Sequence, residues 1–296
     1  MVICTYLRPQ WLELSLQSLH QQTASRNQYE VLVVDNAGQE ATRQIAQQYG
    51  VAYVLEPHLG LSHARNRGMQ WAKTAWVLYL DDDIQAPQKL IERVLHRLEG
   101  ATYAALGGPI RHWFATPPAI WVHKYFREPV VPTDPPARFS ALTGERYLVG
   151  ALLAVYKPAW SAIGGFAPHL GMKGHQVARA EEDEFQLRLR RAGYQIYYDP
   201  EITIDHLVQP YKYTITGQLK LAHASGRDGV GMRGVKQLTE WALLWRWGQI
   251  TTFSLPFNLA RLVFKPGYYW QNAVVDTLTK YCFAWGQYRS KRTPEL

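Results

Sequence analysis

The run Trp76-Val77-Leu78-Tyr79-Leu80 is almost wholly apolar and ends in three consecutive aspartates, Asp81, Asp82 and Asp83. A short apolar run of this kind reads as a strand buried on both faces. Strand alternation then sends Asp81 and Asp83 to one side and Asp82 to the other. Two carboxylates at the rim of a low-dielectric core raise each other's pKa, so a divalent cation or a strongly basic partner is the natural compensation. The carboxyl ends of strands are also where open α/β sheets bind ligands. A solvated turn or a helix cap uses aspartate too, and the rest of the chain decides between the two readings.

The first half alternates such runs with helical stretches. Residues 2–6 read as a strand, Pro9 to Leu19 as a helix with proline near its start, and Glu30 to Asp35 as a second buried strand. A helix over 39–49, a short strand over 51–55, a helix over 63–73, the Asp81 strand, a helix over 87–98 and a strand over 101–106 follow. This rhythm predicts an α/β fold with a parallel sheet covered by helices and joined by right-handed crossovers. Residues 109–147, rich in proline and aromatics, read as loops. Order returns with Tyr147 to Tyr156, a Gly164-Gly165-Phe166 turn, a helix over 181–192 and strands over 194–198 and 201–206. Beyond residue 210 the pattern is helical, with Trp, Arg and Lys interleaved.

Asp35 closes an apolar strand as Asp81 does, which predicts that the two carboxylates share a sheet edge and become neighbours; capping the next turn together with Asn36 is the other reading. Gly60 to Gly68 puts a flexible residue before a helix start carrying Arg65 and Arg67, a suitable phosphate site. Glu181-Glu182-Asp183-Glu184 opens an amphipathic helix whose apolar face is Phe185, Leu189 and Ala192 and which Gly193 ends. Acids in a first turn suit the helix dipole without any further role. A literal Gly-X-Gly-X-X-Gly at 229–234 follows a helical stretch rather than a strand, so it is no dinucleotide fingerprint; as a loop it would bring Arg227 or Arg233 to a diphosphate.

A net charge of +8 suits partners that carry phosphate: a nucleotide, a nucleic acid or an anionic lipid. Cys4 and Cys282, far apart in the chain, support neither a disulfide framework nor a Cys-rich zinc site, and a reducing compartment is the default. No basic leader precedes the first strand, and Arg246, Arg261 and Lys265 break up the most apolar region, so a cytoplasmic protein, soluble or peripheral, is expected. Residues 236–290 mix aromatics with Lys and Arg. That mixture suits an interfacial helix on anionic lipid at the cytoplasmic face of the membrane, or packing on the catalytic domain or a second subunit.

Taken together, Val2 to Pro9, Val33-Val34-Asp35-Asn36, Gly60 to Gly68, Leu80 to Asp83, Gly164-Gly165-Phe166 and Glu181 to Glu184 with the helix that follows resemble the family 2 glycosyltransferases in order and spacing over residues 1–206. The resemblance implies an A-type glycosyltransferase fold with a mixed central sheet. It implies a catalytic domain over 1–208, divided into a nucleotide-binding half (1–108) and an acceptor-binding half (109–208), and a C-terminal helical extension over 209–296. Thr5, Tyr6, Arg8 and Asp35 would line the nucleoside pocket, and Arg65 would approach the nucleotide and diphosphate. Asp81 and Asp83 would be the outer residues of an Asp-X-Asp motif around Asp82, with Asp83 on the metal, Asp81 on the ribose or the metal's water shell, and His206 as a further metal ligand. Glu182 falls on the position of the catalytic base and Asp183 stands next to it. Two departures are visible: Tyr6-Leu7-Arg8 where the family often has Tyr-Asn-Arg, and a glutamate at the base position.

The implied activity is inverting transfer of a hexosyl group from a nucleoside-diphosphate sugar, a UDP-sugar first, to a glycan or lipid-linked acceptor in polysaccharide or glycolipid biosynthesis. Mn²⁺ or Mg²⁺ held by carboxylates stabilises a leaving diphosphate, and an acceptor hydroxyl needs a carboxylate to take its proton. A sugar-phosphate nucleotidyltransferase would use similar acids without a base in the second half. A basic nucleic-acid-binding protein would leave the buried acid-ended strands unexplained, so no nucleic-acid partner is expected.

Overall fold

Four of the apolar runs become the parallel side of the main sheet. The computed structural model describes residues 1–126, 129–132, 134–230 and 235–290. In it β1 (Val2–Thr5), β2 (Leu32–Asp35), β3 (Ala52–Leu55) and β4 (Trp76–Asp81) lie side by side in the order β3-β2-β1-β4, all parallel. The helices α1 (Pro9–His20), α2 (Glu40–Gln48) and α3 (Leu61–Trp71) make the crossovers. Alternation along the strands feeds two cores, one on each sheet face. Ile3, Val33 and Leu80 pack with Leu12 and Leu16 of α1, whereas Val2, Val34 and Tyr79 pack with Ala64 and Met69 of α3. Leu12 and Leu16 are at most 2% exposed, and burying each contributes about 1.5–3 kcal/mol.

Beyond β4 the expected parallel sheet gives way to a mixed one. After β5 (Ile84–Gln85) and α4 (Leu90–Leu98) come β6 (Ala105–Gly107), β7 (Ile110–Trp113), β8 (Ser140–Ala141) and β9 (Leu152–Tyr156), then α5 (Lys157–Ala162), α6 (Glu181–Arg191), β10 (Ile196–Tyr198) and β11 (Ile204–Leu207). The order continues β4-β9-β6-β10-β8, with β9 antiparallel to both β4 and β6. The long segment between β6 and β9 reverses the chain, so β9 enters the gap beside β4 from the opposite end. That segment is also not all loop. It contributes β7, β8 and a 3-10 helix over Ile120–Tyr125. β7 joins β5 and β11 in a second sheet of order β5-β11-β7.

The chain divides into two compact units. One comprises Met1–Trp113, Glu128–His175 and Glu181–Leu207; the other Phe114–Arg127, Gln176–Ala180 and Val208–Leu296. The sequence places 114–127 and 176–180 in the 1–208 domain, whereas the structure groups them with the C-terminal helices. For the first of these the reason is a separate small core, in which Trp121 and Val122 pack against Val275. The second unit holds α7 (Ile215–Asp228), α8 (Glu240–Gln249), a π-helical turn (Ile250–Ser254), α9 (Leu255–Phe264) and α10 (Trp270–Arg289). Gly226 and Gly286 let α7 and α10 touch backbone to backbone, since a Cβ on either would lie about 2 Å from a carbonyl oxygen of the other helix. Arg233 and its Gly-rich neighbours at 231–234 lie outside the described residues. Arg227 forms an ion pair with Asp228 at 2.6 Å and donates to the Val177 carbonyl at 3.0 Å.

Candidate active site

Register places the acidic cluster. Cys4 of β1 stands opposite Asp81 at the end of β4, and β5 begins directly after Asp83. β11 runs antiparallel to β5 with His206 opposite Ile84, and the Leu207 amide donates to the Asp83 carbonyl at 2.9 Å. His206 Nε2 therefore lies 3.3 Å from Asp81 Oδ2 and 3.0 Å from Asp83 Oδ1. Asp82 turns away from this cluster. Its Oδ2 accepts from Thr5 Oγ1 at 2.6 Å, and its Oδ1 is 3.0 Å from Arg8 Nη2, while Arg8 Nη1 reaches Asp83 Oδ2 at 3.0 Å.

Among the described residues, Asp81, Asp83 and His206 form the group whose donor atoms all lie within 4.8 Å of one another. The set fits a divalent cation. Two carboxylates and an imidazole suit Mn²⁺, with Mg²⁺ the harder alternative. The separations of His206 Nε2 from the two carboxylates, 3.3 and 3.0 Å, are near those of adjacent corners of an octahedron with bonds of about 2.1 Å. The electrostatics agree with a site built to hold positive charge. Burial disfavours a charged His206, but the charges and hydrogen bonds of Asp83 and Asp81 overcome it and push its pKa up to about 9. Burial pushes the Asp81 carboxyl up, yet the bond to His206 and its charge bring it below the usual carboxylate range. Asp82, buried and only partly compensated by Arg8, is raised to about 7.

Behind the acids lies Arg65, 3% exposed although α3 is a surface helix by pattern. Its guanidinium sits over the Phe166 ring, 3.2 Å from Glu181 Oε1 and 3.9 Å from Asp81 Oδ1, and donates to the Gly150 carbonyl at 3.4 Å. In this structure the charge expected to meet a diphosphate is held between two acids. The next residue, Asn66, explains the glycine turn: its Oδ1 accepts from the Phe166 amide and from Trp160 Nε1, and its Nδ2 donates to the Phe166 carbonyl. Gly164 and Gly165 at φ 80° and 76° adopt the left-handed conformation this contact needs.

The four acids of α6 point to different places. Glu181 is 5% exposed and faces Arg65; burial and the neighbouring Glu182 carboxyl raise it to about 8 against the pull of Arg65. Glu184 is bound in two prongs by Arg188, at 2.5 and 2.7 Å, and Arg188 in turn donates to the carbonyls of Ile163 and Gly165. Asp183 acts on Arg190, two turns along. Glu182 is half-buried. Glu181 is the residue the sequence reading left without a role. The signal for it was the pairing of one buried arginine in α3 with the first acid of α6, which no spacing rule reveals.

Two residues of the expected nucleoside pocket behave differently from the rest. Asp35 does not become a neighbour of Asp81, because β1 lies between β2 and β4. Its carboxylate is fully buried and accepts from the amides of Ala37, Gly38 and Gln39 and from the Tyr53 hydroxyl at 2.8–3.0 Å, so it caps its own turn. Asn36 beside it ties the 56–60 loop by donating to Glu56 and His58 carbonyls and accepting from the Gly60 amide. Tyr6 stands at the strand end with its ring edge-on to His175, the centroids 6.0 Å apart. Leu7 follows at φ 55°, a left-handed conformation that asparagine tolerates far better than leucine.

Comparison with known proteins agrees with this geometry. The sequence profile "Glycosyl transferase family 2" matches residues 1–149, the segment that supplies Thr5, Arg8, Arg65 and the three aspartates. The succinoglycan biosynthesis protein ExoM of Rhizobium meliloti is 26% identical over 232 residues, covering 76% of this chain and 72% of ExoM. The glycosyltransferase AglE of Haloferax volcanii is 30% identical over 115 residues, 37% of this chain and only 38% of the length of AglE. Among solved structures, the mannosyltransferase PcManGT of Pyrobaculum calidifontis in complex with GDP-Man and Mn²⁺ superposes with a TM-score of 0.62 at 16% identity, covering 94% of this chain and 84% of that one. TarS residues 1–349 of S. aureus give 0.51 at 14% identity, covering 97% and 90%. The fold is the A-type glycosyltransferase fold. With its first half matched throughout by the family's profile, the chain belongs to glycosyl transferase family 2.

Proposed function

We propose that this chain is a metal-dependent inverting hexosyltransferase that moves a sugar from a nucleoside diphosphate to a glycan or lipid-linked acceptor. The observation that carries the reading is the convergence of Asp81, Asp83 and His206 at one end of β4, beside the buried pair of Arg65 and Glu181. These three residues would hold Mn²⁺ or Mg²⁺, which when bound neutralises charge on a leaving diphosphate. Arg8, anchored on Asp82 and Asp83, and Thr5, bonded to Asp82, shape the floor on which the nucleotide rests. Tyr6 offers a ring edge for the nucleoside. Arg65 fixes the Asp81 carboxylate from behind and orients Glu181. Glu182, half-buried at the start of α6, takes the proton of the acceptor hydroxyl; attack opposite the leaving group inverts the anomeric centre.

UDP-sugars are the first donors to screen. The GDP-Man in the PcManGT structure makes GDP-sugars the second. The likeness to ExoM supports an acceptor in polysaccharide assembly. Two free cysteines fit a cytoplasmic setting, at the membrane face if the acceptor is lipid-linked. Calorimetric titration of UDP and GDP with and without Mn²⁺ tests the site. Asp83→Ala is expected to lose at least tenfold of the metal-supported affinity while remaining folded, because Arg8 keeps Asp82 and His206 keeps Asp81 as partners. Unchanged metal-dependent binding in Asp83→Ala would overturn the assignment. Release of pyrophosphate instead of nucleoside diphosphate from labelled donor would favour a nucleotidyltransferase.

A further inference from the structure

The helical rod at 240–264 carries large apolar side chains on its outer face as well as on its inner one. α8, the π-helical turn and α9 follow one another in unbroken helical backbone, since Gln249, Ile250, Ser254 and Leu255 all keep right-handed φ and ψ. Pro256, in the first turn of α9, lacks an amide proton and crowds the preceding turn, which accounts for the wider π turn just before it. Toward α10 the rod buries Leu243 and Ile250 and sets the Trp247 ring beside Tyr281 and Trp285, and its second half adds polar contacts. Asn258, 2% exposed, donates to Thr277 Oγ1 at 3.0 Å and accepts from the Tyr268 hydroxyl at 3.2 Å. Arg261 Nη1 lies 3.2 Å from Asp276, and Lys280 donates to Ser254 Oγ at 2.8 Å. Away from α10 the rod is apolar: Trp241, Trp245, Phe253, Phe257, Val263 and Phe264 are 63–82% exposed. A helix at a water surface does the reverse. An outward apolar face of this size marks an interaction surface.

Charge chooses the partner. Arg246 and Lys265 stand exposed among the aromatics, and residues 235–290 carry six Lys and Arg against two Asp and Glu. A second copy of the chain pairing on this face would bring like charges together, whereas phosphate headgroups neutralise them. Exposed Trp side chains, Trp241 at the start of the rod and Trp270 at the start of α10, favour the boundary between headgroups and acyl chains. No helix among the described residues is long and apolar enough to cross a membrane, so a rod of this kind lies in the membrane plane.

We infer that the outer face of α8 and α9 docks on an anionic membrane surface, its aromatic side chains entering the interface and Arg246 and Lys265 meeting lipid phosphates. Only the consequence for catalysis, a lipid-linked acceptor, rests on the proposed glycosyl transfer; docking would stand without it. The test is co-sedimentation of the full chain with vesicles of phosphatidylcholine alone or with phosphatidylglycerol, joined to quenching of tryptophan emission by brominated acyl chains. Binding to the anionic vesicles with quenching is expected, weakened at least tenfold by high salt, and at least tenfold by Phe257→Ser/Phe264→Ser with circular dichroism unchanged. Nucleotide binding should be the same in the variant, which separates failure of docking from failure of the catalytic reading. Absence of vesicle binding, or binding that survives the double substitution, would overturn the inference. A concentration-dependent dimer that the double substitution abolishes, without vesicle binding, would give the face to a second copy instead.

Discussion

Glu181, Glu182, Asp183 and Glu184 occupy a single helical turn, and each successive Cα is rotated by about 100°. Such a sweep cannot present all four acids to one substrate. Glu184 is neutralised by Arg188, Asp183 acts on Arg190, and Glu181 is buried against Arg65. Glu182 is left as the half-buried carboxyl adjoining Glu181, and we expect Glu182→Gln to lower single-turnover transfer by about 10²- to 10⁴-fold with nucleotide affinity intact. Asp183→Asn should be milder. Glu181→Gln should also keep substantial activity near neutral pH, because burial already favours the uncharged form of Glu181 there. Near-normal transfer in Glu182→Gln with a collapse in either neighbour would move the role to that neighbour. At this scale the sequence was informative where a local period governs: Asp82 turns away from Asp81 and Asp83 as strand alternation expects, although β4 ends at Asp81 and the other two lie in the turn before β5. It was uninformative where a side chain chooses between its own backbone and a distant partner. Asp35 satisfies itself on the amides of Ala37, Gly38 and Gln39 and on Tyr53, and nothing in the run Val33-Val34-Asp35 distinguishes that from a ligand-facing carboxylate.

Elements carry these residues to their places by close approach, and Gly68 shows how little room there is. A Cβ at Gly68 would lie 2.4 Å from Val2 Cγ1, so α3 rests on β1 at a distance only glycine permits. Arg65 and Asn66 sit within one turn of this contact, and a shift of α3 would move both. Gly68→Ala should destabilise the protein by about 1–3 kcal/mol in urea unfolding. Combined with Val2→Ala, which removes the opposing methyl groups, the loss should be smaller than the sum of the single losses by at least about 0.5 kcal/mol. Strict additivity would show that the two residues do not meet. The first four strands and their crossovers were legible because each apolar run is bounded by turn or helix signals within a few residues. The antiparallel entry of β9 and the second sheet were not. Their partners, β4 and β6 for β9 and β5 and β7 for β11, lie tens of residues away, and short apolar segments carry no mark of direction. The site depends on that hidden link, since His206 meets Asp81 and Asp83 only through the pairing of β11 with β5.

At the scale of the whole molecule, the price of assembling this site appears as a dependence of stability on pH. Asp82, Glu181 and His206 are raised to about 7, 8 and 9 from ordinary values of 3.8, 4.5 and 6.5. Each therefore holds more protons folded than unfolded across its own interval, and stability falls as pH rises through that interval. For His206 the contribution is complete below about pH 6.5 and lost above about pH 9. Asp81, held low, acts in the opposite sense only in acid. A divalent cation at this site is expected to reverse the alkaline part, because an imidazole must give up its proton before it can bind a cation and binding to the folded state alone adds stability. In thermal unfolding with a chelator, the midpoint should decline from pH 6.5 to 9, and His206→Gln should flatten this limb. With excess Mn²⁺ the stabilisation over the chelated protein should grow across the same interval, in step with a rising apparent affinity. An alkaline limb that is as steep in His206→Gln as in the parent, or a Mn²⁺ effect independent of pH, would show that the histidine neither holds the proton nor binds the ion.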